Sequence, residues 1–307
     1  MSVTGKLAYH FYYQPLFWLN KFRKSGGLFN SIRIRNGKSE MEKAALQLKT
    51  APVNDEAVNV YFLTGKKYWP LTAFCMYSLA KVGTIAIKPV FIDDGSFDAE
   101  LIAQMQSQFA GCIIKTADEI AKNLEQKLPA SKYPVLNKKR KEYPHIRKLT
   151  DIHTISDGWK LVLDSDMLFF KTPVQLQEWL TAPTAPLFLH DPITSYYYPE
   201  NLMGQLAGNP VKPNLNVGAI GLKSEAIDWD KLEQWIIALE NDSGECYLLE
   251  QALSAMLVAG QRIIVADQDE YIVMPDAQQI DKATATLHHY VDQSRNGYYT
   301  TAWRKVV

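Results

Sequence analysis

Runs of apolar residues alternate along this chain with stretches in which apolar positions recur every third or fourth residue. Val58–Leu63 is a strand-like run that ends at Thr64-Gly65. Pro70 suits a first helical turn and Gly83 a stop. Between them Leu71, Phe74, Cys75, Ser78, Leu79 and Val82 predict a helix with a one-sided apolar stripe. Ile87–Ile92 is a second strand and runs into Asp93-Asp94-Gly95-Ser96. Leu101, Ile102, Met105 and Phe109 mark a second helix, and 111–114 a short third strand. Strand and helix alternating at this pitch predict parallel strands joined by right-handed crossovers.

The rhythm breaks between Pro129 and Pro144, where Lys138-Lys139-Arg140-Lys141 predicts a solvated face or a mobile loop near a phosphate. A helix is expected from about 144 to 156, then the strand Leu161-Val162-Leu163. A helix around 174–180, a strand at 187–189, a loop with Tyr196, Tyr197 and Tyr198, and helices near 225–240 and 246–259 follow, before a strand at 263–266. No internal repeat or low-complexity segment interrupts this order.

The 307 residues suffice for one large or two small domains. Hydrophobic residues at 47% and charged residues at 21% exclude a disordered chain. Lys+Arg and Asp+Glu are 33 each, so no net field favours nucleic acid. The distribution is uneven, however: residues 1–50 carry nine Lys/Arg against two Asp/Glu, a surplus of +7. Tyr9, Phe11, Tyr12, Tyr13, Phe17 and Trp18, followed by Lys21, Arg23, Lys24, Arg33 and Arg35, predict a basic aromatic arm. Such an arm packs on its own domain, or at a dimer interface, or touches a membrane surface. The uncharged stretch 7–20 is too short for a bilayer span, which needs about 20 residues. Cys75, Cys112 and Cys246 are scattered and odd in number, which fits a reducing cytoplasm, with a peripheral position at the inner face of the membrane as the alternative.

The chemistry concentrates at Asp164-Ser165-Asp166, where the strand 161–163 leaves the core. Alternate residues of an extended chain share a face, so the two carboxylates start on one side. Their mutual repulsion is relieved best by a divalent cation. The competing reading is a turn cap and a solvated acid. In open parallel sheets ligands bind beyond the carboxyl ends of the strands, and three such ends are polar here: Thr64-Gly65, Asp93-Asp94, and Asp164-Ser165-Asp166. Asp93 or Asp94 can accept from a base or a ribose hydroxyl, or simply cap a helix.

With these residues in place the chain resembles the nucleotide-sugar-dependent glycosyltransferases of the GT-A fold. Asp93-Asp94-Gly95-Ser96 with Asp98 resembles the D-D-G-S-x-D of the family 2 enzymes. Arg147 on a helix before Asp164-Ser165-Asp166, then Asn216-Val217-Gly218, resembles family 8. Glu250-Gln251 stands where that family has Asp-Gln, and His289 resembles its C-terminal metal histidine, with His288 as competitor. Arg295 matches the spacing of its diphosphate-binding lysine, while Asp292 replaces a glycine.

The resemblance implies an α/β, Rossmann-like, mixed but mainly parallel sheet flanked by helices, with an arm over 1–50 and one domain over 55–304. It implies a hexosyltransferase using Mn²⁺ or Mg²⁺ at Asp164, Asp166 and His289. A nucleoside diphosphate sugar, a UDP-sugar first, would lie against Thr64, Gly65, Tyr68, Asp93, Asp94, Arg147, Ser165, Asn216, Gly218, Gln251 and Arg295. The acceptor would be a glycan or glycolipid, and Glu250 or Asp191 would serve as catalytic carboxylate. Tyr196–Tyr198 and Trp303 would stack on a sugar or pack inside. Two alternatives stand beside this: a haloacid dehalogenase-type phosphatase with Asp164 as nucleophile, and a non-catalytic binding module of the same fold.

Overall fold

The computed structural model describes residues 27–194 and 196–307. The aromatic stretch 7–20, with Lys21, Arg23 and Lys24, lies outside the described residues. The strands are β1 (Val58–Thr64), β2 (Ile87–Asp93), β3 (Ile113–Lys115), β4 (Trp159–Leu163), β5 (Met167–Phe169), β6 (Leu187–His190), β7 (Leu215–Lys223), β8 (Ile264–Val265), β9 (Tyr271–Val273) and β10 (Leu287–His289). The first helices are α1 (Leu28–Ala45), α2 (Trp69–Val82), α3 (Ala99–Gln108), α4 (Ala117–Lys127), α5 (Pro134–Glu142) and α6 (Arg147–His153). They are followed by α7 (Val174–Thr181), α8 (Glu200–Ala207), α9 (Trp229–Ser243), α10 (Leu249–Leu257), α11 (Ala277–Lys282) and α12 (Ser294–Thr300).

Seven strands form the main sheet in the order β3-β2-β1-β4-β7-β6-β8. As the alternation predicts, β1 pairs in parallel with β2 and β4, and β2 with β3. β7 is antiparallel to both β4 and β6, which makes the sheet mixed. Helices cover both faces, and the period of two sorts the strand residues between two cores. Val60, Phe62, Leu161 and Leu163 join the core under α1–α3, whereas Tyr61 and Val162 join the one under α4–α6 and α8–α10.

A second sheet, β5-β10-β9, stands beside the first. Its strands are three residues each, too short for a periodic signal, and the sequence pattern does not reveal them.

Three local expectations change, and the described part of the arm takes one of its expected placements. α2 is buried nearly all round at Trp69, Leu71, Thr72, Ala73, Phe74, Cys75 and Met76, because β5 and α1 cover the side away from the main sheet. The helix expected over 144–156 is a 3-10 turn, Pro144–Ile146, leading into the shorter α6. The basic run is not a loop: it lies on α5, where Lys138 and Lys141 face solvent and the other two do not. There Lys139 is buried between Glu240 at 2.7 Å and Glu245 at 2.8 Å, and Arg140 grips Asp151 at 2.7 and 2.8 Å. From Leu28 onward the expected arm is a helix seated on the domain. Met41, Ala45 and Leu48 enter the core, and a Cβ on Gly37 would meet the Tyr299 carbonyl oxygen at 2.3 Å.

Candidate active site

β4 ends at Leu163, and the pairing with β7 continues one step further: the Asp164 N–H donates to the Gly218 carbonyl at 2.7 Å. After Ser165 the chain re-enters β5, which pairs antiparallel with β10 so that Met167 faces His289. The Tyr290 N–H donates to the Asp166 carbonyl at 2.8 Å and closes the junction. The two sheets thus bring Asp164, Asp166 and His289 together, with one ligand atom from each lying within 4.8 Å of the others.

The histidine is held in one orientation. Its Nδ1 lies 3.2 Å from Asn216 Oδ1, the same oxygen that accepts from the Gly218 N–H at 2.9 Å. With Nδ1 carrying the proton donated to Asn216, the Nε2 lone pair is left facing the carboxylates. That nitrogen is buried without a hydrogen-bond partner, 3.3 Å from Asp166 and 3.7 Å from Asp164. An imidazole lone pair and two carboxylate oxygens form a donor set that could hold a cation. The donor set fits a divalent ion, with nitrogen suiting Mn²⁺ as well as Mg²⁺. Gly218 makes room for it, since a Cβ there would meet His289 Cε1 at 2.2 Å.

His288 points to the other side of β10. Its ring packs on Phe170 at 5.0 Å and its Nδ1 lies 3.1 Å from the Tyr290 hydroxyl. Burial holds its pKa down to about 4, so it is a neutral core histidine. Of the two candidates, only His289 reaches the carboxylates.

Around the cluster opens a cleft of about 830 Å³. Tyr68, Asp94, Arg147, Ser165, Asn216, Gly218, Asp191, Glu250, Gln251 and Arg295, all expected from the sequence, line it. Thr64, Gly65 and Asp93 stand behind that lining. The Thr64 hydroxyl is buried against Thr72 at 2.7 Å. Gly65 gives Asp94 its place, because a Cβ would meet the carboxylate at 2.0 Å. Asp93 caps its own turn, accepting from the N–H groups of Gly95, Phe97 and Ala117. Arg147 donates to the Asp94 carbonyl at 2.6 Å and to the Arg140 carbonyl at 3.0 Å, which ties the ends of β2 and α5 across the cleft. Arg295 bonds Asp166 directly. Burial opposes ionisation of Asp166; Arg295, with His289 whenever that ring carries a proton on Nε2, holds its pKa below the usual carboxylate range.

Lys148 lines the cleft with partners that the sequence pattern does not reveal. Its ammonium is buried 3.1 Å from Asp164 and 3.3 Å from Glu250, and donates to the Val217 carbonyl at 3.2 Å. Burial opposes its charge, yet the two carboxylates hold its pKa above the ordinary lysine range. Glu250, almost fully buried, is pushed by that burial up to about 7 against the pull of Lys148. Asp191 accepts from Gln251 at 3.0 Å and Asn216 at 3.3 Å, so the two candidate catalytic carboxylates have different partners, one cationic and one amide. Tyr143, His145 and Tyr247 stack at the cleft mouth with ring separations of 5.4 and 4.8 Å. Tyr143 and His145 come from one segment and Tyr247 from another, and only the fold brings the two together. Tyr196, Tyr198 and Trp303 are packed inside instead.

No family model and no curated protein matches the chain by sequence. Among solved structures it is similar to the apo form of mouse xyloside xylosyltransferase 1, with a TM-score of 0.52 and 13% identity over 79% of this chain and 99% of that one. It is also similar to an active-site mutant of LgtC, with a TM-score of 0.50 and 14% identity over 81% of this chain and all of that one. Identities this low speak for architecture alone, and the architecture of this chain is the GT-A fold of glycosyltransferases.

Proposed function

We propose that the chain is a divalent-cation-dependent glycosyltransferase that moves a sugar from a nucleoside diphosphate donor, a UDP-sugar first, to a hydroxyl of a glycan or glycolipid. The observation that carries this reading is the Asp164–Asp166–His289 cluster at the carboxyl end of a GT-A sheet, with the unpartnered His289 Nε2 facing both acids. A cation held there would neutralise charge on the departing diphosphate.

The chain's own groups divide the remaining work. Tyr68, Asp94 and Arg147 line one side of the cleft and would receive the nucleotide, while Arg295 would exchange Asp166 for a diphosphate oxygen. Asn216, Gly218, Gln251 and Glu250 line the other side and would hold the sugar. The acceptor oxygen forms a bond to the anomeric carbon as that carbon's bond to the diphosphate oxygen breaks, and the electron pair leaves with the diphosphate. Under inversion the acceptor proton passes to Glu250 or Asp191. Under retention the acceptor proton passes to the departing diphosphate, and neither carboxylate is needed as a base.

Cys75, Cys112 and Cys246 are all free, which supports a reducing compartment such as the cytoplasm. No helix among the described residues is long and apolar enough to cross a membrane. The phosphatase and the lapsed binding module are not favoured, since the structures that share this fold are glycosyltransferases and the ligand set is intact.

The test is thermal denaturation with UDP, GDP, CMP and UDP-sugars, in Mn²⁺ and in EDTA. A ligand that binds only the folded state raises its melting temperature. A metal-dependent rise with one nucleotide is expected. No rise with any of them refutes the reading.

A further inference from the structure

We propose that the exposed face at the start of α1 is a docking surface for an anionic lipid bilayer. Leu28, Phe29 and Ile32 are 57%, 88% and 47% exposed there, an unusual set of large apolar side chains on one helical turn. At about 100° per residue, Leu28, Ile32 and Phe29 fall within one sector of about 100°, with Arg35 on one flank and Arg33 on the other. Neither arginine forms an ion pair among the described residues. An apolar strip bordered on both sides by guanidinium groups matches a lipid surface. The apolar tips enter the boundary between headgroups and acyl chains, and the planar forks meet phosphate oxygens.

The charge on the chain points the same way. No Asp or Glu precedes Glu40, whereas Lys6, Lys21, Arg23, Lys24, Arg33 and Arg35 all do. A stretch with only cations is complementary to an anionic leaflet.

The platform is rigid. Gly37 sits too close to the Tyr299 carbonyl for any side chain, and Met41 and Ala45 are buried, so α1 cannot shift without unseating α12. Thr300, at the end of α12, lines the groove beside Phe29, Ile32 and Arg33. Arg295, near its start, bonds Asp166. Five residues of helix span about 8 Å, so a bilayer resting on α1 lies beside the cleft. Where the proposed transfer reaction holds, this selects a lipid-linked acceptor whose hydroxyls sit at headgroup level.

The test is sedimentation of the full chain with vesicles of phosphatidylcholine alone and of phosphatidylcholine with phosphatidylglycerol. The protein is expected to pellet with the anionic vesicles and to release as salt rises. Phe29→Glu with Ile32→Glu, and separately Arg33→Glu with Arg35→Glu, should each weaken binding by about tenfold or more. Ile237→Glu, at an apolar position 43% exposed on α9, should not. All variants change exposed side chains, and unchanged melting confirms folding. Equal pelleting of wild type and both double variants overturns the proposal. So does a dimer that Phe29→Glu with Ile32→Glu dissociates while anionic vesicles bind nothing, because a second copy would then be the occupant. Vesicle binding needs no donor, so it stands or falls separately from the transferase reading.

Discussion

The Lys148 ammonium lies 3.3 Å from the Glu250 carboxylate and 3.1 Å from Asp164, so one buried cation joins a candidate metal-ligand acid to a candidate catalytic acid. Through it the candidate ion site and the Glu250 end of the cleft share one charge balance. Removing Lys148 would leave two acids facing each other without compensation.

Lys148→Met should therefore destabilise the fold by about 3–5 kcal/mol, the usual effect of breaking a buried pair. Adding Glu250→Gln removes one of the stranded charges and should restore part of that loss. Urea unfolding of wild type, both single variants and the double variant measures the coupling. Strict additivity would show that the pair does not interact.

Gly218→Ala would drive a Cβ to 2.2 Å from His289 Cε1 and 2.4 Å from its Nδ1. Displacing an oriented ligand should weaken Mn²⁺ binding by about 10–100-fold in calorimetry. Gly221→Ala is the control, because its Cβ meets Trp179 at 2.4 Å rather than a ligand. It should lower stability and leave ion affinity in the folded protein unchanged.

His289→Ala and His288→Phe should behave oppositely. Loss of the His289 imidazole removes one of three ligands and should abolish the metal-dependent thermal shift with nucleotide. His288 packs among Phe170 and Tyr290, so a phenylalanine there should keep metal affinity near wild type. A greater loss of Mn²⁺ affinity in His288→Phe would reverse the assignment.

The pH dependence of stability should carry a signature of His153. Burial, and then Lys160, depress its pKa from 6.5 to about 3, while its Nδ1 lies 2.9 Å from the Ser224 hydroxyl. Between these values the unfolded chain holds a proton that the folded one does not. Stability is therefore full above pH 6.5 and falls as pH drops toward 3. At pH 5 the contribution lost is about 2 kcal/mol. His153→Asn should flatten that part of the curve, seen as a smaller shift of the urea midpoint between pH 7.5 and pH 5.

The first three strands, their parallel pairing and the acidic pair at the end of β4 are legible in the sequence. Each depends on neighbours along the chain: an extended segment alternates its faces, and a buried strand must be apolar until it leaves the core. Asn216 stands out too, as the polar residue that opens Val217-Gly218-Ala219-Ile220. The choice of His289 over His288 is different. Adjacent residues on a strand face opposite ways, and only the pairing of β10 with β5 decides which way faces the acids.

Lys139 and Lys148 show the same division. By composition both belong to surface basic segments, yet each is buried, held by carboxylates that come from distant positions: Glu240 and Glu245 for one, Asp164 and Glu250 for the other. By itself the sequence determined where polar groups interrupt the core, because burial of an apolar run is a local demand. Only the tertiary structure decided which of those groups meet, because a charge becomes tolerable in the interior through partners that chain folding, not chain order, brings within about 4 Å.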